Sequence, residues 1–403
     1  MAKLQTTQIT SLVNAAYAEA TGSAAISTLA LEDVCDGGVA ALESRGLRDK
    51  FTGAFIGQLA KNWFIDTSYR SMFTDPWFTE ESEYGAIIQM ISVTAPQVHD
   101  AENWQDFQDG DTIGTYTLHL PQTSTKYYTF QDAYQLDVAI QSGQLMQAFK
   151  NASELTAFIN YVYMVVDNAL VAHAEDMTRL NACAFMAHKI NAVAGNADGI
   201  HVVNLVKAYC DETGTASMTA EAAMNDADFL RWSCGEIERY NAMFAYQTSL
   251  FNLDGAVRFT PADRKVFQLL SFFKRRLDSV AYSTTFASNW VQLPKYQEVP
   301  FWQGTGEDLS FDSVSSIDVS IDGSISGHET SAGTPEEVTK SGIVALIADV
   351  WAAPHTIKSR RSVSKYFDFE DVTRVAHQCT DMYLTNLSVN GIIFTIEDVA
   401  ATA

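Results

Sequence analysis

Between residues 151 and 195 the apolar side chains keep to one spacing. Leu155, Phe158, Ile159, Val162, Val165, Val166, Ala169, Leu170, Met177, Leu180 and Ala184 follow that spacing, which gathers side chains onto one face of an α-helix. No proline interrupts the stretch. Asn151 with Glu154 has the form of an N-terminal cap and Gly195 that of a stop. Carried through, the pattern predicts a helix of about 40 residues, on the order of 60 Å long. Helices of globular chains average about 11–12 residues. This one is therefore expected to cross the whole subunit as a spine, with the rest of the fold arranged along it.

With 403 residues the chain has room for a large core divided into two or three lobes. Ahead of the spine, residues 1–60 are Ala-rich and read as helical pieces with a break at Gly37-Gly38. An aromatic-dense stretch follows at 62–79, with Trp63, Phe64, Tyr69, Phe73, Trp77 and Phe78 around a turn at Asp75-Pro76. The run Tyr84 to Val93 predicts a buried strand. From His99 to Tyr134 the pattern is that of a long two-stranded arm. Asp109-Gly110 is a tight-turn dipeptide, because Gly and Asp tolerate positive φ, and Thr112 to Leu120 is rich in β-branched and aromatic residues. An isolated hairpin is marginal in water, so an arm of this length is expected to lie on something, such as a neighbouring subunit.

Beyond the spine, roughly 200–351 mixes helices and strands. Asp226 to Thr248 and Thr260 to Val280 predict helices, the second opened by Thr260-Pro261 with proline at the first helical position. Ser315 to Ser326 alternates around Asp322-Gly323 and predicts another hairpin. Gly327 to Thr339 reads as a polar loop and Gly342 to Val350 as a buried strand. After Pro354 strand-like composition returns and closes on Asn390-Gly391 and the strand Ile392 to Ile396. The class is α+β.

Charge excludes one group of functions. Lys and Arg number 26 against 49 Asp and Glu, a formal charge of −23. Tight nucleic-acid binding neutralises phosphates with a broad basic face, which this chain cannot assemble. An acidic surface keeps a concentrated protein soluble, and on the wall of a DNA container it would leave the genome untrapped. The five cysteines, Cys35, Cys183, Cys210, Cys234 and Cys379, are odd in number and irregular in spacing, and read as reduced, buried small hydrophobes. The longest apolar candidate for a membrane span, Tyr161 to Ala172, is broken by Asp167 and Asn168, and the N-terminus lacks the basic and apolar regions of a signal peptide. The expectation is a soluble protein made in a cytoplasm.

Partial motifs for chemistry each fail on a required residue. His173-Ala-Glu175 has the H-x-E form of a zinc deaminase, but no P-C-x-x-C follows, and His173 on the spine helix is more simply a packed histidine. Gly304-Thr-Gly306 opens like a dinucleotide fingerprint, yet Leu309 stands where the third glycine belongs. Gly323 to Gly327 centres on Ile325 rather than on the serine of a nucleophile elbow. Asp106, Asp109 and Asp111 miss the spacing of a calcium loop. No catalytic set, metal or cofactor is expected. Lys274-Arg275-Arg276 and Arg360-Arg361, with Lys358 and Lys365, are the only basic clusters. They are candidate halves of inter-subunit ion pairs, or plain surface charge.

The order of parts resembles the Hong Kong phage capsid fold of tailed-bacteriophage major capsid proteins. Three stretches carry the resemblance. Leu293-Pro-Lys-Tyr-Gln-Glu-Val-Pro-Phe-Trp-Gln-Gly-Thr-Gly306 is similar to that family's LP-x-Y-EEVPYWQGTG. Phe259-Thr-Pro with the run Val266 to Lys274 matches the segment upstream, and Ser341 to Asp349 matches an SGIIAVLxD strand downstream. Phe301 stands for the usual Tyr, and Ala348-Asp349-Val350-Trp351 departs from a DRDA-like run.

The resemblance implies a phage major capsid fold with an N-terminal arm (1–60), strands of a peripheral (P) domain (61–96) and a long E-loop β-hairpin (97–135). The P-domain with its long spine helix (136–199), an axial (A) domain (200–353) and returning P-domain strands (354–403) would follow. It further implies a structural protein that self-assembles into hexamers and pentamers of an icosahedral head enclosing double-stranded DNA. Its partners would be itself, scaffolding, portal and decoration proteins, with no membrane. Residues expected at inter-subunit contacts are Trp104, Phe107, Asp109 and Tyr116 on the arm, and Arg275, Arg276, Arg360 and Arg361. The rivals are a protein-cargo shell of the same fold and an enzyme with an unrecognised site.

Overall fold

The computed structural model describes residues 6–22, 31–44, 47–48, 50–55, 73, 75–78, 88–93, 123–128, 132–150, 152–193, 198–281, 293, 295–303, 309–322, 335–367 and 370–400. The spine is one uninterrupted helix, and two separate cores are built along it. Numbered in chain order, helices α1 (Thr6–Thr21) and α2 (Leu31–Glu43) precede strands β1 (Ile88–Val93), β2 (Thr123–Tyr128) and β3 (Asp132–Gln141). A short helix α3 (Ser142–Phe149) leads into the spine, α4 (Ala152–Asn191), whose 40 residues match the sequence expectation. Asn151 and Gly195, its expected cap and stop, lie outside the described residues.

The first core gathers Ile9, Leu12, Val13 and Ala16 of α1, Leu42 of α2, Phe149 of α3, and Leu155, Ile159 and Val162 of the spine. Phe51, Phe55 and Phe149 meet at its centre, with ring centroids 5.4 to 6.2 Å apart, a spacing at which aromatic pairs attract. The described parts of residues 6–55 are thus mainly helical pieces folded against the spine. The expected break at Gly37-Gly38 is absent, because both lie inside α2. A Cβ on Gly38 would sit 2.5 Å from the Phe149 ring, so glycine here serves close packing.

The second core fills the space between residues 182–190 of the spine and a five-stranded sheet. After the spine come β4 (Val202–Asn204), α5 (Leu205–Thr213), α6 (Ala220–Asn225) and α7 (Ala227–Met243), then β5 (Lys265–Leu270), α8 (Ser271–Arg276) and β6 (Gln297–Val299). Helix α9 (Phe311–Ser315), the pair β7 (Ile317–Asp322) and β8 (Pro335–Lys340), and β9 (Ile343–Asp349) follow. The chain closes with β10 (His355–Phe367), β11 (Val372–Tyr383) and β12 (Gly391–Thr395). The large sheet runs β4–β12–β9–β5–β6, with β9 at its centre and every residue of β9 buried. A second sheet, β10–β11–β3, spans long antiparallel strands, and β1 pairs with β2 in register from Ile88↔Tyr128 to Val93↔Thr123.

Two further expectations are corrected. Thr260–Val280 is not one helix: 265–270 is a strand of the large sheet and only 271–276 is α-helical. Val266-Phe-Gln-Leu-Leu is buried on both faces, and a continuous apolar run does not distinguish a strand from a helix. Pro261 lies instead in a turn that Arg264 N–H closes on its carbonyl, at 3.1 Å. β7 pairs with β8, Asp322 opposite Pro335, so Asp322-Gly323 is not a two-residue turn and part of the supposed polar loop is strand. By length and mean hydropathy alone the spine helix could cross a membrane, although Asp167 and Asn168 interrupt its apolar run as the sequence shows. The hairpin turn at Asp109-Gly110 and the strand Thr112–Leu120 lie outside the described residues.

Candidate functional site

The motif around Trp302 is a clasp. Trp302 is fully buried and donates its indole N–H to the Ile343 carbonyl at 2.9 Å, while its own carbonyl accepts from Cys183 Sγ of the spine at 3.5 Å. Its neighbour Phe301 lies under the guanidinium of Arg179, 4.4 Å from the ring centre. On the other side, the Gln303 side chain donates to the Asp318 carbonyl (2.6 Å) and accepts from the Asp318 N–H (2.5 Å). Three residues shortly after β6, Phe301 to Gln303, therefore tie the sheet, the spine and the β7–β8 hairpin together. The following strand β9 ends on Asp349, whose carboxylate takes Arg264 at 3.0 Å on both oxygens and caps Trp351 N–H.

Where the spine passes between its two cores, it crosses a polar seam on the three-stranded sheet. Asp381 is fully buried and accepts from Arg360 (3.1 Å) and Tyr134 Oη (3.0 Å), with the Arg360 guanidinium also 2.9 Å from its other oxygen and His355 Nε2 at 3.4 Å. Burial pushes its carboxyl up, but the hydrogen bond from His355 and the Arg360 charge outweigh that and hold it below the usual carboxylate range. Beside it, His173 of the spine bonds Asp132 at 3.2 Å and packs on the Tyr134 ring at 4.0 Å. His173 is thus packed in the seam, the simpler of the two readings of its H-x-E context.

At the far end of the spine, Lys189 is entirely enclosed and donates to the carbonyls of Phe251 and Gly391, each at 2.6 Å. Burial lowers its ammonium to about 7, with Asp198 acting in the opposite direction. A Cβ at Gly391 would meet the Phe185 ring at 2.6 Å, so the start of β12 lies directly on the helix.

Nothing in these arrangements resembles a reaction centre. All five cysteines are free and buried. Burial pushes the thiols of Cys183 and Cys234 up to about 12, which keeps them protonated and unreactive. Among the described residues no three His, Cys, Asp or Glu side chains are placed to hold a metal. A groove of about 950 Å3 lies over α5 and α7, but its charges are spent on one another. Lys207 binds Asp211 at 2.7 Å, Arg239 binds Glu236, and Trp232 donates to Glu212 at 2.8 Å. Asp198 accepts from three backbone N–H groups and from His201.

Of the expected contact residues, Trp104, Phe107, Asp109 and Tyr116 lie outside the described residues. Arg275 is exposed and Arg276 half-buried on α8, with Arg276 bound to Asn225 at 3.1 Å. Arg361 is exposed on β10. Arg360, its neighbour, points to the opposite face and is engaged by its own chain's Asp381 and Tyr134. The two basic clusters lie on different elements, helix α8 and strand β10, and form no joint site. Lys189 and Asp381 were not singled out from sequence, since nothing in their local context separates them from surface charge.

The family model of Phi29-like phage major capsid proteins matches residues 13–395. No curated protein matches the sequence significantly. Among solved structures, the capsid of Staphylococcus phage Andhra aligns with a TM-score of 0.50 at 11% identity, over 82% of this chain and 87% of that one. A structure of the head fibre and inner core protein of bacteriophage P68 aligns at 0.49 and 10% identity, over 80% and 83%. One from Microbacterium phage Oxtober96 aligns at 0.43 and 11%, over 82% and 94%. At such identity the Andhra likeness establishes the fold, and the family match, which spans nearly the whole chain, establishes the role: this chain belongs to the Phi29-like phage major capsid proteins and is a structural subunit of a phage capsid.

Proposed function

We propose that copies of this chain form hexamers and pentamers that close into an icosahedral head around double-stranded DNA. The family match over residues 13–395 is the observation that carries this reading. The β1–β2 pair is the root of the E-loop, 97–135, which reaches over an adjacent subunit. The peripheral domain comprises 61–96, 136–199 and 354–403, and the axial domain 200–353, with 1–60 as the N-terminal arm. Shell stability then comes from many modest interfaces repeated by symmetry, so no single contact must be strong.

Trp104, Phe107 and Tyr116 anchor the arm, since interface cores favour aromatics, and Asp109 sits at its tip. Arg275, Arg276 and Arg361 supply ion pairs to neighbours. Arg360 contributes indirectly by fixing β10. The charge of −23 lets the wall enclose DNA without gripping it. The chain is made in the host cytoplasm, works in the virion without catalysis, and meets scaffolding, portal and decoration proteins during assembly. Deleting the arm tip, 100–116, tests the reading. The account expects a folded subunit that forms no closed shells, and closed shells from the deletion variant would refute the arm assignment.

A further inference from the structure

Between α7 and β5 the chain makes a loop, 244–260, that is fixed from within and carries four large apolar side chains on its outside. Phe244 and Phe251 stack at 4.9 Å and are buried, together with Asn252, which bonds Ala256 O and Asn390. Thr248 and Arg258 exchange backbone hydrogen bonds at 3.0 Å, Thr260 N–H closes the base on Phe244 O, and Lys189 holds Phe251 O from the spine. On this frame Tyr246, Leu250, Val257 and Phe259 are 74%, 45%, 50% and 53% exposed. Phe259 begins one of the three stretches that carry the family resemblance, yet leaves about half its surface to solvent.

Together these side chains present on the order of 400 Å2, the size of the largest apolar patches on monomeric proteins and about half of what one partner gives to a standard interface. A surface loop with no partner has little reason to be both rigid and apolar.

Charge decides what covers it. The loop holds one acid and one base, Asp254 and Arg258, placed 4.0 Å apart, so it is neutral on a chain of net charge −23. Two copies repel across most of their surfaces and approach at least cost where neither carries net charge. A polyanion would need a basic surplus that the loop lacks.

We infer that the loop 244–260 is a preformed contact between copies of this chain, buried by a second copy when the shell assembles. The inference rests on the capsid reading and adds the surface through which subunits meet.

The test is a Tyr246→Cys variant, labelled with a maleimide in assembled particles and in unassembled subunits separated by sedimentation. All five native cysteines are buried, so the introduced thiol is the one that reacts, and unmodified protein gives the background. Labelling is expected to slow by about tenfold or more in particles, because thiol reactivity follows exposure. Equal labelling in particles and subunits would overturn the inference while leaving the capsid reading intact. If neither the parent protein nor the variant forms particles, the capsid reading fails first and the inference with it. Should the variant alone fail to assemble while remaining a folded subunit by circular dichroism, the Tyr246 side chain itself is needed at the contact, which supports the inference.

Discussion

Lys189→Met isolates what a fully buried ammonium does to this fold. The folded pKa is about 7, whereas a lysine in an unfolded chain titrates near 10.4. Between those values the unfolded chain binds a proton that the folded one does not, so the free energy of unfolding rises with pH. The slope for one proton is about 1.4 kcal/mol per pH unit, and roughly 5 kcal/mol accumulates over the window. Below pH 7 the folded state bears the whole cost of the enclosed charge, and the cost fades as pH climbs toward 10.

Methionine keeps the stem and removes the titration. It leaves Phe251 O with one remaining donor, the Gly391 N–H at 3.0 Å. Losing the lysine donor from the Gly391 carbonyl costs about 1–3 kcal/mol at any pH. Urea unfolding followed by tryptophan fluorescence, with Trp232 and Trp302 beside this core, measures both chains from about pH 7.5 to about pH 9.5. Relative to the variant, the parent should gain about 2.5 kcal/mol across that range. All other titrating groups are common to the two chains and cancel. Parallel slopes would refute the reasoning, because they would mean that the ammonium stays charged in the folded protein or is not enclosed.

Asp381→Asn should cost about 3–5 kcal/mol by leaving the Arg360 guanidinium without its buried counter-charge, read as a lowered urea midpoint, while Asp381→Leu with Arg360→Met together should recover much of the loss. The same carboxylate makes the parent acid-sensitive: its contribution is complete above about pH 4 and disappears as pH falls through its lower folded pKa, and circular dichroism at low pH should show the Asn variant less affected by acid than the parent. Gly38→Ala should destabilise the first core by about 1–3 kcal/mol, because the new methyl has to displace the Phe149 ring; calorimetry finding no change would show that the ring moves aside freely.

How legible each part was in the sequence depended on whether its physical cause is local. The spine declared itself because its stripe repeats over 40 residues, and β9 did so because Ile343 to Ala348 leaves few alternatives to a buried core strand. Val266 to Leu270 was misread because burial on both faces erases the alternation that marks a strand, and Thr260-Pro261 before it has the form of a helix start. Gly37-Gly38 was taken for a break because the reason for glycine, the Phe149 ring, lies more than a hundred residues away in sequence. For the same reason Lys189 looked like an ordinary basic residue at a helix C-terminus, although its partners come from residues 251 and 391. Arg360 and Arg361 read as one basic pair until strand alternation sent them to opposite faces. The exposed loop 244–260 gave no pattern at all, since exposure of an apolar residue cannot be seen without its neighbours.

The central claim is that copies of this chain tile a shell, and negative-stain microscopy with light scattering on the concentrated protein addresses it directly. The account predicts closed particles of uniform diameter, or rings of five and six subunits. A monodisperse monomer at high concentration, unchanged when a scaffolding protein is expressed with it, would contradict it.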